Sequence, residues 1–197
     1  MAMSLENENR MLRERVKQLE NEIAFLRTHP VFLQGLKGES IVSKLTGGAF
    51  TEFAASHDLK IGSTVKVEVK FSKLNTPNKG RDTRRWNWSK LLGWKDKGKD
   101  YDFLVLVGEK DWRYPEQYLD QSPYVFFLIP KAQISEIITR GKAIGSQAQI
   151  TTRLAAATSP ASMALKKYLV PAAMLSELID TTKGAQTGSS SFGGPDA

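Results

Sequence analysis

Apolar residues near the start of the chain fall on a heptad. Leu5, Leu12, Leu19 and Leu26 are seven apart, and Asn9, Val16 and Ile23 fill the alternate seam position. β-Branched residues at a with leucine at d favour a parallel two-stranded coil, and a single Asn at a fixes register and oligomer state. The flanking charges agree: Glu8 of one helix would face Arg13 of the other, Arg15 would face Glu20, and Glu22 would face Arg27. Residues 1–29 are therefore predicted to form a leucine-zipper helix that stops near His29-Pro30, because the residue before proline disfavours the helical region. Only four residues precede Leu5 and none is basic. No basic helix of the kind a DNA-reading zipper needs is seen before the coil, so the coil is expected to serve as an assembly device.

Residues 31–50 read as a turn and a helix, with Ile41, Val42 and Leu45 on one side of the segment from Glu39 to Leu45 and Gly47-Gly48 ending it. From Asp58 the period changes to two. Val65, Val67, Val69 and Phe71 share one strand face, and Lys66, Glu68, Lys70 and Ser72 share the other. Leu59 and Ile61 alternate with Asp58 and Lys60. A three-residue loop, Gly62-Ser63-Thr64, pairs Ile61 with Val65 and Leu59 with Val67, matching the apolar faces and setting Asp58 opposite Glu68. A two-residue loop would bury the Asp58 carboxylate among valines, which is costly.

Beyond the hairpin, residues 73–100 read as loop with a short helix at Trp86–Leu92. Tyr101–Val107 and Tyr124–Ile129 read as buried strands, the second closed by Pro130. Short helices are predicted at Ile134–Thr139, Ala161–Leu169 and Ala172–Ile179. Residues 31–180 form the globular domain in this reading, and residues 181–197, rich in Gly, Ser and Thr, a disordered tail.

Composition narrows the partners. There are no cysteines, which excludes disulfides and thiolate metal sites. No apolar run approaches the ~20 residues needed to span a bilayer, and no signal peptide is visible, so no membrane association and a cytoplasmic location are expected. In residues 1–29 Arg10, Arg13, Arg15, Lys17 and Arg27 balance Glu6, Glu8, Glu14, Glu20 and Glu22, so the net charge of +7 lies downstream. It concentrates between Lys70 and Lys99, where Asp82 and Asp96 are the only acids. A polyanion, nucleic acid first, is the implied partner.

The hairpin brings two carboxylates and a lysine to one surface. Asp58 and Glu68 suit Mg²⁺, which takes one or two protein carboxylates and keeps several waters; the Val69 carbonyl is a plausible third ligand. Lys70 points to the same side and could orient an attacking water or stabilise developing negative charge. Glu39 could complete the site from the helix. An acid-x-Lys triplet alone carries little, since Asp58-Leu59-Lys60 is another. Asp100 and Asp102 are rival acids, read as a loop end and a cap or ion-pair partner.

The ordered set Gly38-Glu39, Asp58, Glu68-Val69-Lys70 and the strand Tyr101–Val107 resembles the PD-(D/E)XK nuclease superfamily, the fold of type II restriction endonucleases, over roughly residues 31–140. His57 stands where that pattern has proline. The resemblance implies an α/β fold with a mixed central sheet flanked by helices and the zipper helix added. It implies metal binding by Asp58 and Glu68, catalysis by Lys70 with Glu39 in support, and Mg²⁺ as cofactor, with Mn²⁺ able to substitute. The expected activity is sequence-specific, restriction-type hydrolysis of duplex DNA by a homodimer, or a higher oligomer, of prokaryotic or phage origin. The alternatives are a structure-selective resolvase, a repair nuclease, or a non-catalytic zipper-dimerised DNA-binding protein.

The expected DNA surface is Ser72, Lys73, Arg81, Arg84, Arg85, Trp86, Trp88, Lys90, Lys95 and Lys97, with Lys99 among the phosphate contacts. Trp86, Trp88 and Trp94 interleave with the cations as base-stacking candidates, one or two of them anchoring in the core instead.

Overall fold

The computed structural model describes residues 5–52, 55–75, 82–141, 145–177 and 179. The chain divides into two units, 1–37 and 38–197. The first holds helix α1, Leu5–Thr28, and the start of α2, Pro30–Thr46. Pro30 stands at the first position of the second helix, where its missing N–H costs nothing. Along α1 the seam residues Leu5, Leu12, Val16, Leu19 and Ile23 are all exposed in the single chain. The last turn of α2 closes on Thr46, whose Oγ1 donates to Val42 O at 2.8 Å.

The second unit is built around the predicted hairpin. After the two-residue strand β1, Ala49–Phe50, come β2, Leu59–Ile61, and β3, Val65–Ser72. Ile61 pairs with Val65 and Leu59 with Val67, the register that the apolar faces require. Gly62 takes a φ of +58°, a left-handed turn position that favours glycine. Three strands follow from the segment after β3: β4, Arg85–Ser89, and a small hairpin of β5, Gly93–Trp94, and β6, Lys97–Gly98. The chain then returns as β7, Phe103–Glu109, parallel to β3 with Val67 against Phe103. β8, Tyr124–Pro130, runs antiparallel to β7. A short helix α3, Ile134–Ile137, leads to β9, Thr139–Gly141, and β10, Gly145–Thr151. Helix α4, Pro160–Lys166, is capped by Ser159 Oγ accepting from Ser162 N, and β11, Leu169–Val170, pairs with β8.

The result is mixed α/β. A six-stranded mixed sheet runs β1-β2-β3-β7-β8-β11, and a three-stranded antiparallel sheet runs β4-β10-β9. One face of the large sheet presents Val65, Val67, Val69, Phe71, Phe103, Val105, Val107, Phe126 and Leu128 to Val42 of α2 and to Leu175 and Ile179. The other presents Leu104, Leu106, Phe127 and Ile129 to Trp86 and Trp88 of β4, Ala148 and Ile150 of β10, and Leu165 of α4. This second face departs from the expected helical cover, because a small sheet and two short helices fill it. The helix predicted at Trp86–Leu92 is strand β4: Trp86 and Trp88 alternate inward while Arg85 and Asn87 point out, a period of two that the surrounding charges disguise.

Loop ties complete the frame. Asp111 is buried, receives Arg113 Nε at 2.9 Å and Thr152 Oγ1 at 2.7 Å, and joins the turn after β7 to the end of β10. Arg113, and secondarily the Thr152 hydroxyl, pull its carboxyl down to about 2. No helix among the described residues is long and apolar enough to cross a membrane. The tail expected at residues 181–197 lies outside the described residues.

Candidate functional site

The polar face of β3 is where the hairpin argument can be judged. β2 begins at Leu59, and the Asp58 N–H donates to Val67 O at 3.0 Å. Val67 is already the partner of Leu59, so two residues address one, as in a β-bulge, a device that re-aims a side chain. The Asp58 carboxylate turns across to β3, where Oδ2 accepts from Val69 N–H at 2.8 Å. It lands on the same side as Glu68 and Lys70. Lys70 Nζ makes a short contact with Glu68 Oε1, lies 3.3 Å from Val69 O and 3.9 Å from Asp58 Oδ2.

A second ammonium joins from the segment after β6. Lys99 Nζ is 2.8 Å from Glu68 Oε2 and 3.5 Å from Asp58 Oδ1. Sequence reasoning had placed Lys99 on the phosphate surface. Only the parallel register of β3 and β7, which carries the preceding loop over Glu68, brings it here, and no local signal announces that register.

Glu39 reaches the same neighbourhood from α2. Gly38 makes this approach close: a Cβ there would stand 2.8 Å from Phe71 Cβ, so the helix rests directly on β3. Burial, then the negative charge of Asp58, push the Glu39 carboxyl up to about 7; Glu68 adds to this, and Lys70 and Lys99 partly offset it. Glu68 is fully shielded from water, and that burial pushes its pKa up against the pull of Lys70. Lys99 is raised, because its pairing with Glu68 and Asp58 outweighs the burial that opposes its charge. Tyr101 packs beside the cluster and donates to Leu91 O at 2.7 Å; burial and the Glu68 charge push its phenol up.

The donor set fits a hard divalent cation. Asp58 and Glu68 supply carboxylate oxygens from one side of the sheet, and the buried Glu68 Oε2 meets a cation, the Lys99 ammonium, at 2.8 Å. No three Asp, Glu or His side chains gather as a ligand group among the described residues. Two carboxylates with a carbonyl and water would then be the set, which is within what Mg²⁺ accepts.

The rival acids are structural. Asp100 pairs with Lys66 at 2.5 Å and Lys131 at 3.4 Å, and Asp102 accepts from Lys66 N–H at 2.9 Å.

The expected DNA surface divides. Lys73, Arg85, Lys90, Lys95 and Lys97 are exposed and Arg84 is half-buried. Three members need correction. Trp86 and Trp88 are core residues, stacked on one another with centroids 6.2 Å apart, and their indole N–H groups donate to Glu109 O at 2.8 Å and Val107 O at 3.0 Å. Ser72 is buried, donating to Lys73 O and accepting from Asn87 N–H. None of the three can meet a ligand there. Arg81 lies outside the described residues. Of the three tryptophans in this segment the exposed one is Trp94, 64% accessible on the β5–β6 hairpin with Lys90 Nζ 4.8 Å from its ring. That hairpin turns through Lys95 and Asp96, both at positive φ, the signature of a two-residue type I′ turn. Asp96 Oδ1 accepts from Ser146 N–H at 2.9 Å and pins the turn to β10.

No family model and no curated protein matches the chain.

Proposed function

We propose that the protein is a metal-dependent DNA endonuclease of the PD-(D/E)XK type, acting as a homodimer. The observation that supports this most is the convergence of Asp58, Glu68 and Lys70 on one face of the sheet, with Glu39 of α2 near enough for the charges of all three to act on it. Asp58 and Glu68, with the Val69 carbonyl, would hold a Mg²⁺ ion, which when bound supplies Lewis acidity and an activated water at the scissile phosphate. The remaining work falls to the chain itself. Lys70 sits on a rigid strand, where its ammonium can orient the incoming water and stabilise negative charge on the phosphoryl oxygens. Glu39, titrating near neutrality, can hold or release a proton at its carboxyl.

Lys90, Trp94, Lys95 and Lys97 are exposed on the segment that leads into Lys99, and would meet the DNA beside the site. Cations there neutralise phosphates, and Trp94 offers a stacking face. The exposed seam of α1 would pair with a second copy of itself, because the three cross-chain charge pairs are all opposite in sign in a parallel coil. Such a dimer brings two sites to one duplex, one for each strand.

Incubation with supercoiled plasmid, with and without Mg²⁺ or Mn²⁺, tests the reading. Metal-dependent nicking and linearisation are expected. Protein that retards the plasmid but leaves it intact in every metal would favour the second reading, a DNA-binding protein in which Lys70 and Lys99 neutralise the two acids for structural purposes alone.

A further inference from the structure

Two ammonium groups serve two carboxylates at the site, and they divide the oxygens between them. Lys70 and the Val69 N–H take Glu68 Oε1 and Asp58 Oδ2. The other oxygen of each acid faces Lys99 Nζ, at 2.8 Å from Glu68 Oε2 and 3.5 Å from Asp58 Oδ1. Glu68 Oε2 is fully buried, so the Lys99 ammonium, rather than water, meets its charge. Lys99 holds that oxygen through charge, as a counter-ion would.

The two lysines also differ in how they are mounted. Lys70 lies in the middle of the hydrogen-bonded part of β3, with Leu106 as its neighbour on β7. Lys99 lies between β6 and β7, outside any strand, and directly after Gly98, whose φ is +88°. Its side chain retains 22% exposure, so its way out to solvent is open. One side chain is fixed to the sheet, and the other is carried on a connecting segment whose far end bears Trp94, Lys95 and Lys97.

We propose that Lys99 is a displaceable counter-ion. Its ammonium occupies the position between Asp58 and Glu68 that a divalent cation takes in the nuclease, and it leaves as that cation binds. The inference rests on the nuclease reading and adds a regulation to it. With Lys99 in place the buried carboxylate is neutralised and the fold is spared an uncompensated charge. With a dication in place Lys99 is repelled, and a phosphate of DNA lying along the β5–β6 hairpin offers it another anion. DNA and metal then favour the same displaced position, so each strengthens binding of the other by the same factor.

Two measurements on the full chain test this. The first is calorimetric titration of Mn²⁺, without DNA, into wild type, Lys99→Met and Lys99→Gln, with Asp58→Asn/Lys99→Met to locate the site and thermal melts to establish folding. Removing a competing charge from contact with the ligands should tighten Mn²⁺ binding by roughly tenfold or more in both single variants, and the double variant should lose it. The second uses wild type alone and so does not depend on a variant folding: acetylation of lysines mapped by mass spectrometry, with and without Mn²⁺. Lys99 should become several-fold more reactive on adding Mn²⁺. Equal Mn²⁺ affinity in wild type and folded variants, or Lys99 labelling unchanged when Mn²⁺ is bound, would overturn the inference and leave the nuclease reading intact. Absence of Mn²⁺ binding in wild type and folded variants alike would overturn both.

Discussion

Replacing Glu39 with glutamine should stabilise the protein above neutral pH and leave it nearly unchanged in mild acid. Glu39 is pushed up to about 7 from the ordinary glutamate value of 4.5, first by burial and then by the Asp58 charge. A carboxyl whose folded pKa is raised binds its proton more tightly in the native state. Its contribution to stability is therefore intact below 4.5 and is lost as pH rises towards 7. The shift corresponds to about 3 kcal/mol at most, and about 2 kcal/mol is a better expectation for a group that keeps some contact with solvent. Glutamine keeps the shape and has no charge to desolvate. The stability difference between Glu39→Gln and wild type should then widen by about 2 kcal/mol from pH 4 to pH 8. For a folded unit of this size that is a relative shift of roughly 4–8 °C in Tm. Urea unfolding of both proteins at closely spaced pH values measures it, and subtracting the two curves cancels the titrating groups that do not interact with Glu39. Parallel curves across the range would show that Glu39 ionises in the native protein as it does in the unfolded chain. The proximity of Asp58 and Glu68 to Glu39, and any role for Glu39 as a proton holder, would fall together.

Four further substitutions separate the packing claims from the chemical ones. Gly38→Ala should cost about 1–2 kcal/mol in urea unfolding, since a Cβ at 2.8 Å from Phe71 Cβ forces α2 off the sheet and outweighs the gain in helix propensity; a variant as stable as wild type would show that α2 does not need its close seat. Lys70→Ala should abolish cleavage while leaving retardation of DNA in gels largely intact, and unchanged cleavage would remove Lys70 from the mechanism. Trp88→Ala should destabilise by about 3–5 kcal/mol through the cavity it leaves, whereas Trp94→Ala should leave Tm within about 1 °C and weaken DNA affinity; equal effects of the two on Tm would contradict their opposite placement.

Period and parity made much of this molecule legible in the residues alone. The heptad of Leu5, Leu12 and Leu19 specified a helix, and the proline at position 30 marked its end. Alternation along Val65–Ser72, joined to the cost of burying Asp58 among valines, specified the hairpin register and placed Asp58, Glu68 and Lys70 on one side. These inferences succeeded because they depend on interactions between residues near in sequence, where the backbone period decides the geometry. The strands at Phe103–Glu109 and Tyr124–Pro130 were legible for another reason, since apolar runs of that length are buried wherever they end up.

What only the tertiary structure decided involves distant segments. The tryptophans of β4 sit in a stretch so rich in cations that local composition argued for a surface. Their burial follows from meeting Leu104, Leu106 and Phe127 across a sheet-to-sheet interface that no local pattern specifies. Strand β10, with its weak alternation of small and polar residues, becomes a strand because β4 and β9 pair with it on both sides. Lys99 enters the acid cluster because β7 runs parallel to β3 at one particular register, and a parallel pairing separated by a long connection leaves no trace in either strand's own sequence. The acids and Lys70 could be read from the chain, but the second cation that neutralises them is set by a contact spanning residues 68 to 99.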